Sequence, residues 1–194
     1  MKKILILLLL LNFNFTYSYS IEADVFVQST VNRAAETLGG GLTIDERMDK
    51  LKKIALDTVD IRGIGFYSLG SHRKSASDEQ KKEYEKAFAE YFLQSFSSRL
   101  AEYSNPIINV DTKKKINENY TIVYSTLAAT DKRPAVKIDW RIYTKNKDQP
   151  LIRDLIIEGL SLARTQKEEF NSIILGADGD INALILKLKE FSSS

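Results

Sequence analysis

The hydrophobic period of this chain changes at Asn105-Pro106, and that change limits the folds it can adopt. Before this point, apolar residues recur every three or four positions, which is the spacing of one helix face. After it, four runs alternate at period two, which is typical of strands, and short turn-rich loops separate them. Helical spacing returns from Ser161 onward. We therefore predict an α+β fold with N-terminal helices, a four-stranded antiparallel sheet and C-terminal helices.

Capping motifs indicate where the predicted helices begin. Thr43-Ile44-Asp45-Glu46 and Ser77-Asp78-Glu79-Gln80 match the capping box, in which two side chains satisfy backbone donors reciprocally. The second box begins the longest predicted helix, which extends to about Tyr103. Residues 60–70 between the two boxes are interpreted as a short or irregular helix, and Asp180 is predicted to cap the last helix.

Two apolar surfaces stand out in this arrangement. Phe88, Phe92 and Phe96 recur every four residues, so their rings line one face of the longest helix. In the third strand, the positions Val136, Ile138, Trp140 and Ile142 alternate with polar residues, which predicts a sheet with one apolar and one wet face. On these residues alone, an ordinary helix-on-sheet core is the favoured interpretation.

The first 20 residues have the organisation of a secretory signal peptide. Lys2 and Lys3 precede an apolar stretch at residues 4–11, and Ser18-Tyr19-Ser20 is the best cleavage candidate. The stretch is shorter than the roughly 20 apolar residues of a membrane-spanning helix. We expect residues 1–20 to be removed, which leaves residues 21–194 as a single exported domain.

The charge balance and the cysteine content exclude several partners. The 194 residues include 28 basic and 26 acidic side chains, and removal of Lys2 and Lys3 makes the remainder formally neutral. A nucleic-acid-binding protein would be expected to carry a clustered basic face, so we expect no nucleic-acid partner. The sequence contains no cysteine, which rules out disulfides, thiolate metal sites and a lipidated N-terminal cysteine.

Catalytic motifs are sparse. His72 is the single histidine and lies in a polar stretch without a nucleophile elbow. Asp178-Gly179-Asp180 is similar to a fragment of a calcium loop but lacks the full set of ligands, and a capping turn explains it. The glycines match neither the Walker nor the dinucleotide template. We expect neither a metal nor a cofactor.

Several short patterns occur in a fixed order along the chain. They are Leu69-Gly70, Glu79-Gln80, Tyr84, Phe88, Phe96, residues 100–104, Val136, Asp139, Arg141, Asp154, Glu158-Gly159, Ser161-Leu162 and Phe170-Asn171-Ser172-Ile173. In this order and spacing, the chain resembles the MlaC, or toluene-tolerance, family of periplasmic phospholipid-binding proteins. The resemblance covers nearly all of residues 21–194. One departure is Gln166-Lys167, where the family tends to have Tyr-Arg, because lysine lacks the bidentate fork of arginine.

The resemblance implies a carrier and not an enzyme. Such a protein is monomeric and periplasmic, and it moves phospholipid between the outer membrane and an inner-membrane ABC transporter complex, which maintains outer-membrane lipid asymmetry. Its partners would be phospholipid as cargo, that ABC transporter complex and an outer-membrane lipoprotein-porin complex. The acyl tails would lie between the sheet and the helices, in an apolar pocket. The expected lining residues are Phe66, Phe88, Phe92, Phe96, Ile122, Tyr124, Val136, Ile138, Trp140, Ile142, Leu155 and Ile157.

Two other function classes remain open from the residues. A secreted α+β enzyme with an apolar pocket, of isomerase or hydrolase type, would need an ionisable side chain inside that pocket. Asp139, Asp154 and Glu158 are the candidates, although strand alternation places Asp139 on the wet face. A structural interaction protein would instead have a filled core. Phospholipid that co-purifies with the protein would distinguish the carrier from both.

Overall fold

The computed structural model describes residues 20–131 and 133–193. The predicted signal peptide, residues 1–20, lies outside this part of the chain except for Ser20. No helix within the described ranges has the length and apolar character needed to cross a membrane.

In the described part of the chain four helices precede the sheet, and two of them begin at the predicted capping boxes. The four helices are α1 (Ala23–Gly39), α2 (Ile44–Thr58), α3 (Ile61–Leu69), which a 3-10 turn (Gly70–Lys74) follows, and α4 (Asp78–Ala101). Both capping boxes form, at the starts of α2 and α4, because the side chains of Thr43 and Ser77 each accept a hydrogen bond from the N3 backbone amide and the N3 side chains reciprocate. Gly70 ends α3 with a φ of 60°, a backbone conformation that favours glycine.

Among the described residues the sheet has five antiparallel strands in sequential order, one more than predicted. The remaining elements are β1 (Ile108–Asn117), β2 (Tyr120–Leu127), β3 (Val136–Tyr143), β4 (Leu151–Ile157), β5 (Leu160–Ser161), α5 (Leu162–Leu175) and α6 (Ile181–Ser192). The additional strand, β5, pairs with the end of β4 across a turn in which Glu158 and Gly159 have φ values of 49° and 84°. Two positive φ values are characteristic of a tight hairpin. A strand of two residues is too short to show a hydrophobic period, which is why the sequence did not reveal it.

One face of the sheet carries the core, as the alternation in β3 predicts. Ile138 pairs with Ser125 on β2 and with Ile157 on β4, whereas Trp140 pairs with Val123 and Leu155. Directly paired residues share a face, so the apolar positions of three strands form one surface. The close backbone approaches to the sheet come from α1, α3 and α5, while α4 packs chiefly against α2 and α6.

The buried face of α4 changes direction along the helix. The first half buries Tyr84, Ala87 and Phe88, whereas the second half buries Ser97 and Ala101. Nine residues separate Phe88 from Ser97, and at 100° per residue these two side chains point to opposite sides of the helix. The first half contacts Phe170 of α5, and the second half packs against α1 and α2.

The position of α6 explains this change. The two helices run parallel, since Gln80 near the start of α4 hydrogen-bonds Asn182 near the start of α6. At its other end α6 places the ring of Phe191 5.0 Å from the ring of Tyr91. Because α6 ends there, the second half of α4 extends beyond it.

Candidate functional site

A run of half-buried residues occupies the middle of α4. Residues 91–96 are all partly accessible, whereas buried and exposed positions alternate on either side of them. Within the run, the rings of Phe92 and Phe96 stack with their centroids 5.7 Å apart and their planes 9° from parallel. Phe88 lies 6.1 Å from Phe92 and is 2% exposed. The three phenylalanines therefore lead from the closed core to partly open surface.

One end of the sheet provides a matching set of half-buried apolar side chains. They are Ile108 and Val110 on β1, Val136 on β3, and Leu155 and Ile157 on β4. Leu127 pairs with Ile108 on one side and with Val136 on the other, so these strands meet at one end of the core face. At the other end, Ile142 and Ile152 are 0% and 5% exposed. We call these the open end and the closed end of the sheet.

Several contacts place the second half of α4 near the open end. Tyr91 donates a hydrogen bond to Gln166 of α5, 3.1 Å away, and α5 directly follows the β4–β5 hairpin. Beyond the C-terminus of α4, the ring of Tyr103 lies 5.3 Å below the guanidinium of Arg133, just before β3. Apart from Ile157, the half-buried apolar residues of α4 and of these strands also pack against the same core cluster. We define the open apolar end as the side chains Phe92, Leu93, Phe96, Ile108, Val110, Val136, Leu155 and Ile157.

The structure brings together five of the twelve lining residues predicted from sequence. Those at the open apolar end are Phe92, Phe96, Val136 and Leu155, which pack against the core cluster, and Ile157, which its pairing with Ile138 places on the core face. Four others are buried in the adjoining closed core, namely Phe88, Ile138, Trp140 and Ile142. Phe66 lies apart on α3, where its ring contacts Tyr84 and the guanidinium of Arg62.

Ile122 and Tyr124 are not on the surface that the sequence predicted for them. They pair with Arg141 and Asp139, which places them on the face opposite the core face, where Ile122 is nevertheless only 8% exposed. The core face of β2 consists of Thr121, Val123, Ser125 and Leu127. Ser125 fits there because its hydroxyl donates to the Ile138 carbonyl and accepts from Trp140 Nε1. The prediction failed because β2 has apolar residues at both odd and even positions, so its sequence does not identify the buried face.

Three residues of the open apolar end were absent from the prediction: Leu93, Ile108 and Val110. The alternation in IINVD at the start of β1 carried the signal for the two strand residues. Leu93 follows Phe92 directly and lies outside the four-residue phenylalanine repeat, so the repeat gave no indication of it.

The closed end is held by Arg153 on β4. Its Nε donates to Asp60, the N-cap of α3, and its Nη1 donates to the Tyr120 hydroxyl, each at 2.6 Å. Its guanidinium lies 3.7 Å from the ring centroid of Tyr143. Burial alone would lower the pKa of Arg153, but the hydrogen bonds with Tyr120 and Asp60 outweigh it and the pKa is raised. This residue therefore joins α3 to three strands.

The three carboxylates considered for an enzyme lie outside the open apolar end. Asp154 is buried, and its oxygens accept hydrogen bonds from the Ser161 hydroxyl and the Ala163 amide, so it fixes the start of α5. Asp139 lies on the wet face, and Glu158 is exposed in the β4–β5 turn. No group of three or more acidic or histidine side chains in residues 20–131 and 133–193 is arranged to hold a metal.

Two surface cavities lie away from the open apolar end. The first, of about 270 Å³, is at the closed end beside Lys113 and Pro150. The second, of about 440 Å³, follows the outer face of α1 near Val25 and Arg33. Neither is lined by any of the twelve predicted residues.

Comparisons with known proteins agree with this architecture. The chain is 28% identical over 141 residues to the intermembrane phospholipid transport system binding protein MlaC of Haemophilus influenzae, which is 71% of this chain and 64% of that relative. The fold of this chain matches that of a phospholipid-binding protein from Ralstonia solanacearum, solved in complex with a phospholipid, with a TM-score of 0.75 at 19% identity. That match covers 89% of this chain and 98% of the other. The family model for the MlaC protein matches residues 28–190, so this chain belongs to the MlaC family.

Proposed function

We propose that this protein binds a phospholipid and carries it through the periplasm between the outer membrane and an inner-membrane ABC transporter complex. An outer-membrane lipoprotein-porin complex would be its second partner, and the transport would maintain the lipid asymmetry of the outer membrane. Membership of the MlaC family and the names of the two relatives support lipid binding and transport. The observation that carries the proposal is the open apolar end, where stacked rings are left half exposed.

A carrier is needed because acyl chains are costly to expose to water. At about 0.8 kcal/mol per methylene, a lipid with roughly thirty methylenes costs about 20–25 kcal/mol. The binding surface must therefore be apolar, and part of it must stay accessible in the free protein. Phe92, Phe96 and Leu155 meet both conditions, since they are half-buried and pack against the core.

Loading has a natural point of entry in this arrangement. The core is closed around Phe88 and Ile142, so the tails would enter at the open apolar end, between α4 and β4. The half-buried side chains on the second half of α4 would make room for the tails, because α6 ends beside Tyr91 and does not cover them. On its other side this half of α4 stays packed against α1 and α2. Phe92 and Phe96 would then contact the tails instead of the strands.

Mass spectrometry of protein purified under native conditions tests this proposal. We expect phospholipid to co-purify with the unmodified protein, and we expect Phe96→Glu or Leu155→Glu to abolish it because a carboxylate would be buried against the tails. Leu56→Glu on α2 is the matched control, since Leu56 is 60% exposed and lies outside the open apolar end. Circular dichroism establishes that each variant is folded. Unmodified protein without lipid, or folded open-end variants with full lipid occupancy, would contradict the proposal.

Export is the second part of the proposal. Residues 1–20 would direct secretion and be removed, leaving residues 21–194 as one domain that acts as a monomer. The mass of protein recovered from the periplasm should correspond to a chain that begins at Ile21. Protein that retains residues 1–20 would contradict cleavage at this site.

A further inference from the structure

A polar cluster borders the open apolar end on the side of α5. Tyr91, Ser95 and Arg99 follow one another at four-residue steps on α4, next to the stripe formed by Phe92 and Phe96. Gln166 on α5 completes the cluster, because its Oε1 accepts the hydrogen bond from the Tyr91 hydroxyl. Apolar rings and polar groups therefore lie side by side where the second half of α4 becomes accessible.

Arg99 is the positive charge of this cluster. It is exposed, and none of the ion pairs formed within residues 20–131 and 133–193 involves it. Side chains on a helix lean toward its N-terminus, which directs the guanidinium back over Ser95. The acidic residue near Tyr91 is Glu169, which already accepts a hydrogen bond from Gln166 at 3.0 Å.

The electrostatics of Tyr91 agree with this position of Arg99. Burial is the main cause that raises the pKa of Tyr91, and the charge of Glu169 raises it further. The charge of Arg99 acts in the opposite direction, as does the hydrogen bond between Tyr91 and Ser95. The guanidinium of Arg99 is therefore close enough to influence the Tyr91 hydroxyl.

We propose that Arg99, with Ser95 beside it, binds the phosphodiester of a lipid whose tails occupy the open apolar end. This inference rests on the proposed function. Arg99 is three positions after Phe96, a rise of about 4.5 Å along the helix. A lipid whose tails contact the Phe96 ring would therefore have its phosphate near the Arg99 guanidinium. Arginine suits this task because its planar fork matches phosphate oxygens. The Ser95 hydroxyl, which hydrogen-bonds Tyr91 in the free protein, would turn to the phosphate as a second donor.

The experiment compares three probes: a phospholipid, a diacylglycerol with the same two chains, and inorganic phosphate. The unmodified protein should bind the phospholipid about fivefold more tightly than the diacylglycerol, which is the size expected for an accessible charged contact. Arg99→Gln should remove that preference and leave diacylglycerol affinity unchanged. Arg99→Lys should retain part of it, and Ser95→Ala should reduce it. Arg73→Gln, an exposed arginine in the 3-10 turn, is the matched control and should behave as the unmodified protein.

Each alternative outcome has a distinct meaning. If Arg99→Gln keeps the full preference for phospholipid, the head-group assignment is wrong while the carrier proposal stands. If inorganic phosphate binds as tightly as the phospholipid, the cluster is a free-phosphate site, which overturns the assignment. If the unmodified protein binds neither lipid, both proposals are wrong.

Discussion

The two ends of the sheet differ although they share the same strands and the same core face. At the closed end, Ile142 and Ile152 are buried, and Arg153 joins α3 to the strands. At the open end, Val136 and Leu155 are only half-buried, although they pack against the same core. The difference shows that this fold separates the residues that stabilise it from the residues available to a ligand.

The contrast has an energetic basis. Burial of apolar area stabilises the folded chain by about 25 cal/mol per Å², so a half-exposed side chain contributes only part of what a buried one does. The remainder of its surface is still in water and is available to stabilise a complex. Substitutions at the closed end should therefore affect stability, and substitutions at the open end should affect binding.

The largest expected effect comes from paired truncations on the core face. Ile142→Ala and Leu155→Ala remove the same number of carbon atoms, one at each end of the sheet. Because Ile142 is fully buried, its truncation should lower the free energy of unfolding by about 3–4 kcal/mol, whereas that of Leu155 should cost about 1 kcal/mol. Urea denaturation with an unchanged m-value measures both. Equal losses would remove the distinction between the two ends.

A smaller effect is expected from Arg153→Met. This substitution keeps a long apolar side chain but removes the hydrogen bonds to Asp60 and Tyr120, so we expect a loss of about 2 kcal/mol. Arg62→Met is the control, because the Arg62–Glu85 pair is exposed and should contribute less than about 1 kcal/mol. Phospholipid occupancy should stay unchanged in both variants. Loss of lipid from folded Arg153→Met protein would mean that the closed end also takes part in binding.

Local signals in the sequence predicted much of this fold. The capping boxes at Thr43 and Ser77 and the alternation in β3 have causes within a few residues, and the structure has all three. The face of β2 was wrong for Ile122 and Tyr124, because YTIVYSTL carries apolar side chains at both parities. Which face is buried there depends on the hydrogen bonds of Ser125, which are made with another strand.

The division of α4 into a buried first half and a half-exposed middle could not be predicted from the local sequence pattern. The repeat of Phe88, Phe92 and Phe96 suggests a single buried face, yet the burial of α4 changes after Tyr91. That change is caused by the end of α6, which lies about a hundred residues later in sequence and meets Tyr91 through Phe191. A helical repeat identifies neighbours within one helix but not where a distant helix stops.

The smallest expected effect is a pH dependence at the closed end, where Lys113 of β1 meets the start of α1. Its Nζ lies 2.6 Å from Glu22 and 2.7 Å from Asp24. The hydrogen bond from Lys113 is the main cause that lowers the pKa of Asp24 below its ordinary value of 3.8. A carboxylate with a lowered folded-state pKa adds stability that is present above the unfolded value and is lost as the pH falls through the folded value.

The stability that Asp24 gains from Lys113 should therefore be complete at pH 7 and decline below about pH 4. It should stay under about 1 kcal/mol, because the side chains of Lys113 and Asp24 are both more than one-third exposed. Urea midpoints at pH 7 and pH 3 measure it. Lys113→Met should lower the midpoint at pH 7 and narrow its difference from pH 3. Lys114→Met, the neighbouring exposed lysine, should leave that difference as it is. Lys113 is not one of the residues of the open apolar end, so lipid occupancy should not change in either variant. A change in occupancy would connect the two ends of the sheet.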